Sequence, residues 1–191
     1  CDGFPLCGGG GSNQPEQDCI NAIPVCQDVF CQPNAYTGGG LNPNEITGAN
    51  SCLLGGEVND VWYIITVQTS GQLNFTIIPD DPADDYDWAV YNLTSNSCSD
   101  IATTPALEVS CNFSADPGPT GPNGNCGACG IDPCVSSASA SDCKFSPTIS
   151  VTAGQTYLIN VSNWSSTPSG YTLDFSASTA VIFDNVAPTI S

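Results

Sequence analysis

The sequence predicts an all-β chain: an antiparallel β-sandwich, jelly-roll-like, with long disulfide-bonded loops. Three observations carry that expectation. Short runs of apolar–polar alternation recur along the chain, bounded by Gly, Pro, Asn, Asp or Ser. No run has apolar residues at helical spacing. Twelve cysteines, an even number, stand among Gly- and Pro-rich connections in a chain without histidine. Disulfides formed in an oxidising compartment are their default use.

Taken in order, residues 1–18 carry four glycines and a serine after Cys7 and read as a flexible or irregular arm. Residues 19–186 read as one β-sandwich domain, and 187–191 as an exit linker towards another domain. Ile20, Ile23 and Val25 suit an edge strand, because Pro24 withholds a ladder donor. Cys52 is expected to tie this entry segment to the body. Val61, Tyr63, Ile65 and Val67 alternate with Trp62, Ile64, Thr66 and Gln68, and Ser70-Gly71 makes a turn. Leu73, Phe75 and Ile77 follow, and Trp88 to Leu93 forms a third strand. Strands 61–67, 72–78 and 87–93 are expected to pair as an antiparallel meander. Leu107, Val109, Cys111 and Phe113 alternate with polar residues as a half-buried strand.

Periodicity is lost over 115–142, which reads as a Gly/Pro/Cys-rich insertion held by cysteines rather than by a core. The body resumes at Ile149 and Val151, turns at Ala153-Gly154-Gln155, and continues with Tyr157, Ile159 and Val161. A loop at Asn163-Trp164-Ser165-Ser166 leads to Tyr171, Leu173, Phe175 and Ala177, and Val181 to Phe183 closes the sheet. The expected core is Val61, Tyr63, Ile65, Leu73, Phe75, Ile77, Tyr157, Ile159, Leu173 and Phe175.

All the cysteines are expected in disulfides: Cys1, Cys7, Cys19, Cys26, Cys31, Cys52, Cys98, Cys111, Cys126, Cys129, Cys134 and Cys143. Cys98 and Cys111 flank a short connection and are an expected pair. A metal site of Cys126, Cys129, Cys134 and Cys143 is the alternative for the insertion. Cys1 is either a disulfide cysteine, with Cys7 close by, or the lipidated residue of a bacterial lipoprotein.

Nineteen acids face one base, Lys144, for a net charge of −18. That balance disfavours nucleic acid and anionic lipid, and no run is long and apolar enough for direct membrane insertion. It favours divalent cations. Were the meander to form, Asp60, Asp80, Asp81, Asp84, Asp85 and Asp87 would converge at one end of the sheet, with Glu57 and Asn59 nearby. Calcium is the expected cofactor there, since it takes six to eight oxygens from flexible loops. Asp60, Asp81, Asp85 and Asp87 are the expected ligands; a solvated acidic loop is the competing reading.

Without histidine there is no Ser-His-Asp or Cys-His system, so no enzyme is expected. Trp62 and Trp88 lie in strands and suit the core, whereas Trp164 lies in a polar loop and is the candidate ligand-binding residue, for stacking on sugar rings. Asn74, Asn92, Asn112, Asn160 and Asn163 each begin an N-x-Ser/Thr triplet, which a chain rich in those residues produces by chance.

The ordered string DCINAIPVC, NDVWYIITVQTSGQLNFTI, DDYDWAVYNLT, LEVSCNFS, VTAGQTYLINVSNWSS and GYTLDFSASTAVIFDN, followed by Pro188, resembles a domain of very large Bacteroidota cell-surface proteins. Those proteins are exported by the type IX system, and many carry gliding-motility-associated C-terminal sorting domains. More distantly, the string is similar to the bacterial pre-peptidase C-terminal β-sandwich. The resemblance runs from Asp18 to Pro188 and brings no catalytic residues with it. It implies a non-catalytic, secreted structural or adhesive module at the bacterial cell surface, a repeat unit or filament subunit. Its expected partners are neighbouring domains or copies of itself, and surface glycans. A carbohydrate-binding module on a secreted enzyme is the rival reading.

Overall fold

The computed structural model describes residues 9–130 and 134–182. Gly11–Ser12 (β1) and Ile23–Pro24 (β2) precede Val29–Asn34 (β3) and Tyr36–Thr37 (β4). Then come Asp60–Thr66 (β5), Gly71–Leu73 (β6), Thr76–Pro79 (β7) and Tyr86–Asn92 (β8). Glu108–Asn112 (β9), Ser137–Ala138 (β10), Ile149–Val151 (β11), Thr156–Asn163 (β12) and Ser169–Asp174 (β13) complete the strands. Among the described residues, helix is confined to short 3-10 turns and one four-residue α-helix, Cys98–Ile101 (α1). The all-β class read from the alternation is the class observed.

A six-stranded sheet in the order β10-β9-β8-β12-β5-β2 is the main layer. Its inner face packs on a second layer formed by β3-β13-β7 and the pair β11-β6. All ten expected core residues are buried there, joined by Trp88 and Val90 from β8. The outer face is buried too. Trp62, Leu158, Tyr91 and Cys111 lie under Ile46 and Leu53 of the entry segment and Ile101 of α1. Both faces of β5, β8 and β12 are therefore covered, which explains why these strands read DVWYII, DWAVY and YLINV rather than as clean alternations.

The meander does not form. After β5 the chain does not fold back: Gln68 and Thr69 donate to the carbonyl of Val181 instead. Next to them Gly71 is so close to the Ala180 backbone that a Cβ would come within 2.6 Å of its nitrogen. Strand β5 takes β12 on one side and β2 on the other, while β7 crosses to the second layer beside β13. Strands β5 and β8 flank β12, both antiparallel to it. Alternation marks a strand and its faces but is indifferent to which neighbour completes the ladder.

The entry segment is stapled to the body by Cys19–Cys98 and Cys52–Cys111, which span 79 and 59 residues. The expected Cys98–Cys111 pair is thus not made. Cys111 points to the outer face of β9, towards Cys52, and Cys98 opens α1 beside Cys19. In the insertion the pairs are Cys126–Cys134 and Cys129–Cys143, so its four sulfurs are not metal ligands. Cys26 and Cys31 are also disulfide-bonded, whereas Cys1 and Cys7 lie outside the described residues. With no free thiol among the described cysteines, native protein should take up no alkylating label at these sites, and peptide mapping should recover Cys19 joined to Cys98. Labelling of Cys52 or Cys111 without denaturant would count against the staples.

The insertion is less detached than its composition suggests. Thr120 bridges Ile77 on the edge of β7 and its Oγ1 accepts the Trp88 indole N–H at 3.0 Å. Gly121 lies so close to the Phe75 carbonyl that no side chain fits. β10 pairs in parallel with β9. The arm is also tied down from residue 9 onward: β1 pairs with β4, and the fully buried Gln17 donates to the Thr37 and Gly38 carbonyls. Expectations for residues 1–8, 183–186 and the 187–191 linker fall outside the described residues.

Candidate functional site

Asp60 and Asp87 are both register partners of Ser162, one on each side of β12. Opposed residues share a face, so both carboxylates lie on the outer face of the main sheet. The rest of the expected calcium set does not join them. Asp80 and Asp81 are exposed, and Asp81 accepts the Ala83 N–H within its own turn. Asp84 is buried and accepts the Thr167 hydroxyl at 2.8 Å. Among the described residues, no three of the six bring carboxylate oxygens within 4.8 Å of one another. The convergence was a property of the meander, and it is lost with it. Glu108 does lie beside two sulfurs, but these are the joined sulfurs of Cys52–Cys111.

Asp60 has other neighbours. Its Oδ2 accepts the Asn160 amide at 2.6 Å, while Oδ1 is buried with no partner among the described residues. Burial pushes its carboxyl up to about 7, with Glu45 and Asp18 adding to the effect. Glu57 accepts the Glu45 backbone N–H at 2.9 Å and is pushed up to about 8 by burial, then by Asp60 and Glu45. Glu45 accepts the Cys19 N–H, and Asp18 accepts those of Leu41 and Asn42. These acids serve as acceptors for loop backbone that has no ladder partner, the role any buried N–H requires someone to fill.

On the other side of Ser162, Asp87 opens onto a cleft of about 200 Å³. Leu53, Leu54 and Val58 form one wall, Phe113 and Ala115 another, and Trp164 the rim, with Asp85 and Asp87 the charged residues among the described lining. Asp87 is 8% exposed, whereas Trp164 is 56% and Leu54 67%. The carboxylate is therefore at the floor and the indole at the mouth. Burial pushes Asp87 up to about 8, with Asp85 contributing; Asp85 is itself raised by burial and Asp116 against a lowering by Lys144. Among the described residues, none donates a hydrogen bond to either carboxylate.

The rim is fixed by its own chemistry. Trp164 follows the last β12–β8 pair, Asn163 with Tyr86. The Asp85 carbonyl accepts the Trp164 N–H at 3.0 Å, and Ser165 Oγ accepts the Asp85 N–H at 2.8 Å. Ser166 takes the left-handed conformation with φ 57°, and its N–H donates to Asn163 Oδ1. A Cβ on Gly55 would sit 3.0 Å from the indole, so the ring rests on that glycine. Phe113 and Ala115 are held by backbone bonds to Ala138 and Ala140.

Trp164, the expected ligand-binding residue, is exposed at the rim of the cleft, and Trp62 and Trp88 are fully buried. The apolar walls were not anticipated. They come from separate segments, and the one local hint was an apolar Leu53-Leu54 pair before Gly55-Gly56 in a loop. Of the five triplet asparagines, Asn74, Asn112, Asn160 and Asn163 are buried, all four with bonded amides, and Asn92 makes a turn with Thr94. Scanned against family models, curated proteins and solved structures, the chain matches none.

Proposed function

We propose that this chain is a non-catalytic adhesive module of an extracellular, cell-surface protein, and that its contact site is the Trp164 cleft. One observation carries the reading: an exposed indole at the mouth of an apolar cleft whose walls are tied down by backbone hydrogen bonds and by the Cys52–Cys111 disulfide. Preorganised walls reduce the ordering cost of binding, which is what a contact site needs. The disulfides suit an oxidising, extracellular compartment, and no described helix is long and apolar enough to cross a membrane. The absence of histidine removes the imidazole base of the common nucleophile–base systems, which supports a non-catalytic role. The resemblance to modules of type IX-exported surface proteins points the same way. Calcium enters this reading only as a counter-ion to the acidic surface.

A second reading, glycan binding, is favoured by the exposed Trp164 face. Beads coated with the chain should hold under flow to protein-coated or polysaccharide-coated surfaces. Trp164→Ala should reduce retention by about tenfold, the loss of one hot-spot residue. Retention on polysaccharide alone would select the second reading. Beads that never hold, or that hold equally without the indole, would remove the cleft as the contact site.

A further inference from the structure

We infer that the Trp164 cleft takes a lysine side chain presented by a partner protein. The inference rests on the cleft being a binding site, and it names the chemistry of what binds. The order of surfaces from mouth to floor is the first argument. An indole face, then the apolar walls of Leu53 and Phe113, then Asp87 match an apolar stem that ends in a charge. Trp164 at the rim adds attraction for a passing cation.

The second argument is the unpartnered carboxyl. Asp87 is more than nine-tenths buried and lines the cleft with no hydrogen bond or ion pair to its carboxyl among the described residues. The sole base of the chain, Lys144, is engaged 3.2 Å from Asp116 and with the Pro117 carbonyl. A protein of net charge −18 also steers cations towards itself. The third argument is size. About 200 Å³ is below the roughly 300–1,000 Å³ of clefts that enclose drug-sized ligands, and suits one side chain. Calcium fits poorly, because the walls offer it apolar carbon where it needs oxygens.

Burial favours the protonated form of Asp87 in the free cleft, so a lysine must displace that proton. Affinity should then rise with pH, by up to about tenfold per unit below the carboxyl's own pKa. Asp85, Asp116 and Lys144 are the other charges near the cleft that shape this profile.

The experiment titrates the full chain with a short blocked peptide bearing one lysine, and with its norleucine counterpart. Tryptophan fluorescence and calorimetry report binding; Trp62 and Trp88 are fully buried, which leaves Trp164 to respond. The lysine peptide should bind about tenfold or more tightly than the norleucine peptide. Asp87→Asn should abolish that preference, weaken with it the pH dependence, and leave the melting temperature no lower. Equal binding of both peptides, no binding of the lysine peptide at millimolar concentration, or a preference that survives Asp87→Asn would overturn the inference. So would an indole response to calcium or to a neutral oligosaccharide in place of the lysine peptide. Bead retention lost in Trp164→Ala alongside equal peptide binding would sink the lysine and keep the adhesive cleft.

Discussion

Phe75→Ala should lower the unfolding free energy by about 3–5 kcal/mol. Phe75 is fully buried and meets the two layers at once. Its ring lies edge-on to Trp88 of the main sheet at 5.4 Å and tilted against Phe175, just past β13, at 5.5 Å. Truncation leaves a void that neither ring can fill. Trp88 is fixed by its indole bond to Thr120, and the Phe75 backbone is pressed against Gly121. The surrounding structure collapses little, so the cost belongs at the high end of large-to-small substitutions. Urea unfolding should show the midpoint falling with an unchanged slope. A loss below about 1 kcal/mol would mean that the layers do not meet at this ring.

Why Phe75 was identifiable from the sequence, and the cleft was not, follows from range. Phe75 sits in a period-2 pattern with Leu73 and Ile77, and such a pattern records a buried face whatever the strand's partner is. Trp164 announced itself in the same local way, as a large aromatic in a polar loop. The pairing of β5 with β12 has no local signature, because their register partners stand about a hundred residues apart, Asp60 opposite Ser162. The calcium expectation placed Asp60 beside Asp81 by assuming a hairpin at Ser70-Gly71. The backbone groups that a hairpin would have used are taken by Val181 instead. Outer-face burial was hidden for a related reason. Trp62 and Tyr91 look like ordinary strand residues until the entry segment, residues 19–58, is drawn over them, tied at Cys19 to Cys98 and at Cys52 to Cys111. Cysteine connectivity is set by that tertiary path, so Cys98 and Cys111, near in sequence, found other partners. The insertion's Thr120 and Gly121 became structural through contacts with β7 and Phe75 that composition cannot express.

Stability should fall as pH rises through the range from about 4 to 8. Asp60 is the clearest case. It is fully buried, its Oδ1 has no partner, and burial raises its carboxyl from 3.8 to about 7. Asp87 and Glu57 are each raised to about 8 for the same leading reason. Below about pH 4 both folded and unfolded chains hold these protons, and the fold has its full stability. Between there and the raised values the unfolded chain has released them while the fold still binds them, so every increment of pH favours unfolding. Above about pH 8 both states are ionised and the loss is complete. For Asp60 alone the span corresponds to a loss on the order of 3–5 kcal/mol, at about 1.4 kcal/mol per unit of pKa difference. Self-repulsion of the acidic surface acts in the same direction. Asp60→Asn keeps an acceptor for the Asn160 amide and removes the ionisation, so it should flatten the profile most between pH 5 and about 7. Urea midpoints at pH 5 and 8 for both proteins test this. A stability that climbs towards pH 8, or an Asp60→Asn profile as steep as the parent's, would show that these carboxylates are ionised inside the fold, held by a cation or by water.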